Sequence, residues 1–280
     1  MLNALTIDVE DYYHVSAFES VIPDGDWDRY ESRVAANTGR LLDLLDDAHT
    51  QATFFVLGWV AEREPKLAKE IHRRGHEIAC HGYSHKRIYT QTPAQFREET
   101  RRAKRVLEAL TGHPILGYRA ASYSITADSL WALEILAEEG FHYDSSIYPI
   151  WHDRYGIPGH PRFAHRIHLQ NHRSIAEFPL STIRLAGSNV PVAGGGYLRL
   201  FPYAVTRLAI RHLNNTEQRP AIVYLHPWEM DPHQPRIYAG WLSRLRHYTN
   251  LHRMHARLQC LLRDFSFGPL RTVYADQLLD

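Results

Sequence analysis

The first half of the chain alternates between short apolar runs and longer segments in which apolar residues recur every three or four positions. The short runs predict buried strands, and the periodic segments predict helices. The predicted strands cover residues 4–9, 52–58, 76–80 and 114–118, and the predicted helices cover 33–48, 60–74, 94–111 and 127–139. Strands that alternate with helices in this way favour an α/β fold with a parallel sheet or barrel.

The second half is less regular, and residues 147–200 are rich in Gly, Pro, His and Arg. The remaining predicted elements are a helix from Pro202 to about residue 213 and strands over 221–226 and 271–276. Helical spacing of apolar residues from Trp241 to Phe265 predicts one core-facing helix. The glycine run 194–196 indicates either a close approach to another group or a simple loop turn.

Composition narrows the class of protein. A chain of 280 residues suits a single α/β barrel, and a formal charge of +1 does not suit a nucleic-acid-binding protein. Cys80 and Cys260 do not make a disulfide framework. The first residues reach acidic groups after a short apolar run, and no apolar stretch approaches the roughly 18 residues of a spanning helix. We therefore expect a cytoplasmic protein without a signal peptide or membrane insertion.

Five polar motifs each follow a short apolar run. They are TIDVEDYYH (6–14), CHGYSH (80–85), GYRAASY (117–123), YDSS (143–146) and VYLHPWE (223–229). In parallel barrels the functional groups gather at the carboxyl ends of the strands, so these motifs are expected to meet. Their side chains are those of a metal-dependent hydrolase.

The metal ligands are expected among histidines and acids. His81 and His85 are four residues apart and can face one point, although such a pair alone is weak in a chain with 19 histidines. Imidazoles with a carboxylate suit zinc or a similar ion with open positions. On an extended strand Asp8 and Glu10 share a face, and Asp11 joins them only if the chain turns. A second, unligated carboxylate would serve as the general base.

Two further residues complete the predicted chemistry. His226 follows an apolar strand and can act as a general acid for a leaving amine or alkoxide. Arg119 has the fork geometry that grips a carboxylate and can fix the base. The plainer alternatives are a packed histidine and a surface ion pair.

These motifs resemble those of the polysaccharide deacetylases, the NodB-homology hydrolases of carbohydrate esterase family 4. The segments YDSS, GGGYLRL and LHPWEMDPHQPR resemble a subgroup with a C-terminal extension that is linked to exopolysaccharide and exosortase loci. The resemblance implies a single domain over 1–280 that forms a distorted (β/α) barrel of about seven strands. Its core is 1–150 with the strand 221–226, and the extension of about 150–280 completes the barrel.

The resemblance also implies roles for individual residues. The implied roles are Asp8 as base, His81 and His85 as metal ligands, Arg119 as the residue that tunes the base, His226 as acid, a backbone N–H near Tyr123 for the oxyanion, and Leu225 in the acetyl pocket. Val9 stands where the family has its second aspartate, so the carboxylate ligand is Glu10 or Asp11. The shorter side chain slightly favours Asp11, whereas strand parity favours Glu10. Asp144 and Glu177 are the candidates for the acid that supports His226.

The sequence thus predicts an enzyme that removes N-acetyl groups from a sugar polymer or oligosaccharide with one divalent ion. Zinc is the first choice, and cobalt, nickel and iron are the alternatives. The rivals are a small-molecule amidohydrolase and a non-catalytic carbohydrate-binding scaffold. An open groove lined by Trp151, Tyr197 or Trp228 would favour the polymer, because aromatic faces stack on sugar rings, and a closed pocket would favour the small molecule.

Overall fold

Parallel strands from both ends of the chain form one central sheet in the computed structural model, which describes residues 1–192 and 194–278. The strands are β1 (Leu2–Val9), β2 (Thr53–Val56), β3 (Glu77–Cys80), β4 (Gly117–Tyr118), β5 (Tyr143–Asp144), β6 (His165–His168), β7 (Ser174–Glu177), β8 (Thr182–Leu185), β9 (Ser188–Pro191), β10 (Ile222–Leu225) and β11 (Ser266–Gly268). The sheet order is β10-β1-β2-β3-β4-β5-β7-β6, and β11 also pairs with β1. All these pairs are parallel except β6 with β7, and β8 and β9 form a separate hairpin. The expected mostly parallel α/β fold is confirmed.

Helices connect most of these strands. They are α1 (Val34–Asp47), α2 (Gly58–Arg63), α3 (Pro65–Arg73), α4 (Pro93–Thr111), α5 (Trp131–Glu138), α6 (Gly195–Leu200), α7 (Tyr203–Asn215), α8 (Trp241–Tyr248), α9 (Met254–Asp264), α10 (Leu270–Val273) and α11 (Ala275–Leu278). The longest, α4, has strong local end signals. Thr92 and Gln95 form a reciprocal capping box at its start, and Gly112, with φ 72°, ends it.

Three predicted elements differ from the structure. The helix expected over 60–74 is split into α2 and α3, because Pro65 lacks the N–H that a continuous helix needs. The helix expected over 241–265 is also split, at Asn250, whose φ of 57° is left-handed. The strand expected over 271–276 is wrong, since that segment is helical and the last strand is the preceding Ser266–Gly268.

The expected core-facing helix therefore packs against the core only in its second part. Met254, Leu258 and Leu261 of α9 are fully buried, whereas Trp241 of α8 is 75% exposed and Leu245 is also exposed. The helical spacing of apolar residues continues across the break at Asn250, but α9 packs against the core whereas the apolar residues Trp241 and Leu245 of α8 are exposed to solvent.

The strand register explains how the polar motifs meet. Ile7 of β1 is level with Leu225 of β10, and Asp8 is level with Phe55 of β2. Farther along the sheet, Cys80 of β3 is level with Tyr118 of β4. Each motif therefore leaves the sheet at the same edge. Burial of Cys80 raises the pKa of its thiol to about 12, in keeping with the small buried strand residue expected there.

In the described ranges, 1–192 and 194–278, no helix has the length and apolar character needed to cross a membrane.

Candidate active site

Asp8 stands at the carboxyl end of β1 and is only 2% exposed. Its Oδ1 accepts a hydrogen bond from Arg119 Nη1 at 2.8 Å, and its Oδ2 accepts one from the Tyr123 hydroxyl at 3.1 Å. Burial alone would raise the pKa of Asp8, but the positive charge of Arg119, with His81 and His226, outweighs burial and lowers it. Asp8 is therefore a buried carboxylate at neutral pH.

Arg119 is fixed from several sides before it reaches the aspartate. Its Nη1 also donates to Thr6 Oγ1 at 2.8 Å, its Nε donates to the Ser145 carbonyl at 3.0 Å, and its Nη2 donates to Ser145 Oγ at 2.9 Å. Its guanidinium carbon lies 4.1 Å from the ring centroid of Phe55. With an exposed fraction of 0%, this arginine is not the surface ion pair of the plainer interpretation. Ser145 of the YDSS motif thus helps to hold Arg119, which is the hydrogen-bond partner of Asp8.

Glu10, His81 and His85 form a buried cluster with one ligand atom from each residue within 4.8 Å of the others. His81 Nδ1 is 2.9 Å from the Arg119 carbonyl, so Nδ1 carries the hydrogen and Nε2 is free to bind a metal. His85 Nε2 lies 3.0 Å from Glu10 Oε2, yet the pair is not aligned as a hydrogen bond and this buried oxygen has no donor among the described residues. A cation would satisfy these donor atoms together.

Asp11, the slightly favoured carboxylate ligand, does not join this cluster. Its Oδ1 accepts the backbone N–H of Tyr12 at 3.0 Å, and its Oδ2 accepts those of Arg33 at 2.6 Å and Val34 at 3.0 Å. Since Val34 begins α1, Asp11 satisfies N–H groups at the start of that helix. The preference for Asp11 is therefore corrected to Glu10, the carboxylate that lies beside both histidines.

His226 lies opposite the cluster. Its Nε2 is 3.0 Å from Glu10 Oε1 and 3.9 Å from Asp8 Oδ2, and its Nδ1 is 2.7 Å from Glu229 Oε1. Arg199 Nε donates in turn to Glu229 Oε2 at 3.3 Å. Burial would lower the pKa of His226, but Glu10 and Glu229 raise it to about 10. His226 is therefore protonated at neutral pH.

Glu229 replaces Asp144 and Glu177 as the acid that supports His226. Both of those acids are buried, but Asp144 accepts hydrogen bonds from Ser146 and Glu177 accepts one from the backbone N–H of Ile147. Burial raises the pKa of Glu177 well above its usual range, and the neighbouring Asp144 raises it further. These two acids therefore share a separate buried site that holds a proton.

The sequence contains a local signal for the pairing of Glu229 with His226. Residues Pro227–Met230 form a 3₁₀ turn, and residues three apart lie on the same side of such a turn. The spacing of His226 and Glu229 in VYLHPWE is therefore the spacing of a side-chain pair.

Two other implied roles do not fit the geometry. The Tyr123 N–H donates to the Ala120 carbonyl at 3.0 Å, so this amide is already bonded within its own tight turn. Leu225 is fully buried in the main hydrophobic core, because side chains on a strand alternate and its neighbours Tyr224 and His226 face the cleft instead. Tyr224, and not Leu225, thus lines the cleft.

The catalytic candidates open into a cleft of about 220 Å³. Trp228 lines it and stacks between His226, at 5.1 Å between ring centroids, and His247, at 4.1 Å. Trp151 is 82% exposed but lines a different depression. A cavity of about 590 Å³ shares Val15, Ser16 and His85 with the cleft, so space for a ligand continues past the metal cluster. Of the three expected aromatic residues, Trp228 lines the cleft.

Replacing Glu229 tests its support of His226. As a general acid, His226 would have to be protonated, so activity would fall as pH rises through its pKa, which Glu229 raises. Glu229→Gln is therefore expected to move the alkaline limb of the kcat profile to lower pH, with Glu177→Gln as the matched control. An unshifted alkaline limb in Glu229→Gln, or an equal shift in the control, would show that Glu229 does not tune the acid.

Comparison with known proteins agrees with the fold. A solved structure named as a probable polysaccharide deacetylase of Pseudomonas aeruginosa PAO1 superposes with a TM-score of 0.62 at 17% identity, covering 98% of this chain and 89% of that one. At this identity the likeness concerns the fold alone. The fold is thus the NodB-like barrel found among carbohydrate esterase family 4 proteins.

The family model for polysaccharide deacetylase matches residues 24–141, and the model for a domain of unknown function, DUF3473, matches residues 145–275. The first of these segments thus matches a polysaccharide deacetylase domain, and the second, C-terminal segment matches DUF3473. The first match includes His81, His85 and Arg119, the second includes His226 and Glu229, and Asp8 and Glu10 precede both.

Curated relatives match part of the chain. A peptidoglycan deacetylase-like protein of Gibberella zeae is 36% identical over 111 residues, which are 39% of this chain and 32% of that protein. A peptidoglycan-N-acetylglucosamine deacetylase of Bacillus cereus is 33% identical over 98 residues, which are 35% of this chain and 36% of that protein. The chain spans about a third of the length of these relatives.

Proposed function

We propose that the protein is a metal-dependent hydrolase that removes N-acetyl groups from a polysaccharide or oligosaccharide. The observation that carries this proposal is the buried cluster of Glu10, His81 and His85 with His226 Nε2 3.0 Å from Glu10 and 3.9 Å from Asp8. A metal site, a base and an acid within one cleft are what amide hydrolysis requires. The names of the relatives, which include peptidoglycan and chitooligosaccharide deacetylases, support an acetylated glycan as substrate.

The donor set fits a divalent transition metal. Burial lowers the pKa of His81 to about 4, so its imidazole is neutral and ready to bind at neutral pH. Two imidazoles and one carboxylate suit zinc first, with cobalt, nickel and iron as alternatives. A divalent ion held by these residues would polarise the amide carbonyl and make water more acidic.

The protein's own residues supply the proton transfers. Asp8 takes the proton from the attacking water, and Arg119 and Tyr123 hold its two oxygens in place. His226 donates the proton on Nε2 to the departing amine nitrogen, while Glu229 accepts the hydrogen on Nδ1. The base thus lies on β1 and the acid directly follows β10, and these two strands pair with each other.

The rival functions are less well supported. A non-catalytic scaffold would need neither a buried ionised base nor a protonated acid beside its metal ligands. A small-molecule amidohydrolase would suit the 220 Å³ cleft alone, but the adjoining 590 Å³ cavity favours a ligand of several sugar units. The resemblance of the extension to the exopolysaccharide-linked subgroup leads us to propose a role in exopolysaccharide biosynthesis.

Metal removal tests the proposed function directly. The purified protein is expected to release acetate from an acetylated glycan in a screen that includes N-acetylchitooligosaccharides and acetylated peptidoglycan fragments. Chelation should lower that release by at least roughly a hundredfold, and zinc or cobalt should restore it, whereas magnesium should not, because imidazole ligands disfavour it. Undiminished release by protein shown to be metal-free would exclude the proposed mechanism.

A further inference from the structure

The buried acids that line the cleft each have a basic side chain beside them. Asp8 is paired with Arg119, Glu10 lies between His85 and His226, and Glu229 contacts Arg199 and His226. These negative charges are therefore compensated within the protein and attract no cationic ligand beyond a metal ion.

Two arginines at the mouth of the same cleft are not compensated. Arg154 lies between β5 and β6, Arg246 lies in the last turn of α8, and both side chains line the cleft and are exposed. Over the described residues 1–192 and 194–278, neither forms an ion pair with a carboxylate. The neighbouring Asp153 is 2.9 Å from His152 instead.

Arg246 is not needed to bond the backbone carbonyl groups at the carboxyl end of α8, because another residue donates to them. Arg199 donates to the carbonyl oxygens of Arg246 at 3.2 Å, His247 at 2.8 Å and Thr249 at 3.0 Å. The guanidinium of Arg199 thus offsets the partial negative charge at the carboxyl end of α8. The side chain of Arg246 remains available to a ligand in the cleft.

A flat surface lies next to the two arginines. The rings of His152 and Tyr155 stack with centroids 3.8 Å apart and 10° between their planes, and both residues line the cleft. Such a surface suits the face of a sugar ring, and a guanidinium fork suits a planar carboxylate or a phosphate. Both features belong to the part of the chain that matches DUF3473.

We propose that the substrate carries an anionic group, a carboxylate or a phosphate ester, which binds to Arg154 and Arg246 while the N-acetyl group lies at Asp8 and His226. This inference rests on the proposed function and specifies its substrate as an anionic acetylated glycan. The segment that matches the deacetylase model supplies His81, His85 and Arg119, whereas the DUF3473 segment supplies His226 and, with Arg154 and Arg246, selectivity for the charged substrate.

The test compares three probes on the metal-loaded protein by calorimetry and by acetate release. They are a neutral N-acetylglucosamine tetramer, a tetramer that alternates N-acetylglucosamine with glucuronic acid, and a diphosphate ester of N-acetylglucosamine. We expect at least one anionic probe to bind roughly tenfold more tightly than the neutral tetramer. Arg154→Gln and Arg246→Gln should each remove most of this preference, raise KM and leave kcat nearly unchanged. Added salt should weaken the binding of the anionic probes more than the binding of the neutral tetramer.

Arg244→Gln is the matched control, because Arg244 is exposed on the same helix and does not line the cleft. Equal binding of neutral and anionic probes, or an equal loss in Arg244→Gln, would overturn the proposed subsite even if acetate is released. Arginine-dependent binding without acetate release from any probe would retain the subsite and contradict the proposed function. The glucuronate and diphosphate probes separate the two sources of negative charge.

Discussion

Asp8→Asn is expected to lower kcat for acetate release by about 10²- to 10⁴-fold, the usual contribution of a positioned general base. The amide keeps the size of the carboxylate but cannot accept the proton of the attacking water. Metal content should stay at the wild-type level, since Asp8 is outside the cluster of Glu10, His81 and His85. Acetate release and metal analysis on the same preparation measure both effects.

Stability must be measured beside activity in this variant. Asp8→Asn leaves the buried guanidinium of Arg119 without its charged partner, which destabilises the folded protein. A thermal unfolding curve should therefore show that the variant is folded at the assay temperature. Asp47→Asn, an exposed change outside the cleft, is the control for activity. Near-normal turnover in folded Asp8→Asn would remove the base role from Asp8.

Glu10→Gln is expected to lose most of the bound metal, whereas Asp11→Ala should retain about one ion per chain. The structure gives the reason, because Glu10 lies beside His81 and His85 while Asp11 accepts backbone hydrogen bonds at the start of α1. Asp11→Ala should instead lower the free energy of unfolding by about 1 kcal/mol, as for a lost helix cap. Metal analysis and urea unfolding distinguish the two effects.

The reverse pattern would restore Asp11 as the ligand. In that case Asp11→Ala would lose the ion and Glu10→Gln would keep it. His81→Ala serves as the positive control for metal loss, because its Nε2 belongs to the cluster in either case.

The sequence predicted the location of the site because strand ends can be recognised locally. Apolar runs followed by Asp8, His81, Arg119 and His226 indicated the four strand ends, and parallel pairing brought them to one edge. What remained unresolved depended on contacts between distant segments. Asp11 bonds to residues 22 and 23 positions later, and no local pattern indicates that the chain returns there.

The failed secondary-structure predictions have a similar cause. The spacing of apolar residues indicates which residues could share a helix face. It does not indicate that Asn250 adopts a left-handed conformation, which separates α8 from α9. The last strand is set by its partner, because Ser266–Gly268 pairs with Leu2–Ala4 of β1. The segment 271–276 has strand-forming residues but lacks such a partner and is helical.

The position of β1 in the sheet determines when the catalytic groups can be assembled during synthesis. The Thr6 hydroxyl donates to the Val223 carbonyl, 217 positions later in the chain. Until β10 has left the ribosome, one edge of the strand that carries Asp8 remains unpaired and can associate with other chains. The N-terminal half, although it supplies both histidines of the candidate metal cluster, therefore emerges without His226, the proposed proton donor. Assembly of the complete site must wait for the DUF3473 extension to fold against the first strand.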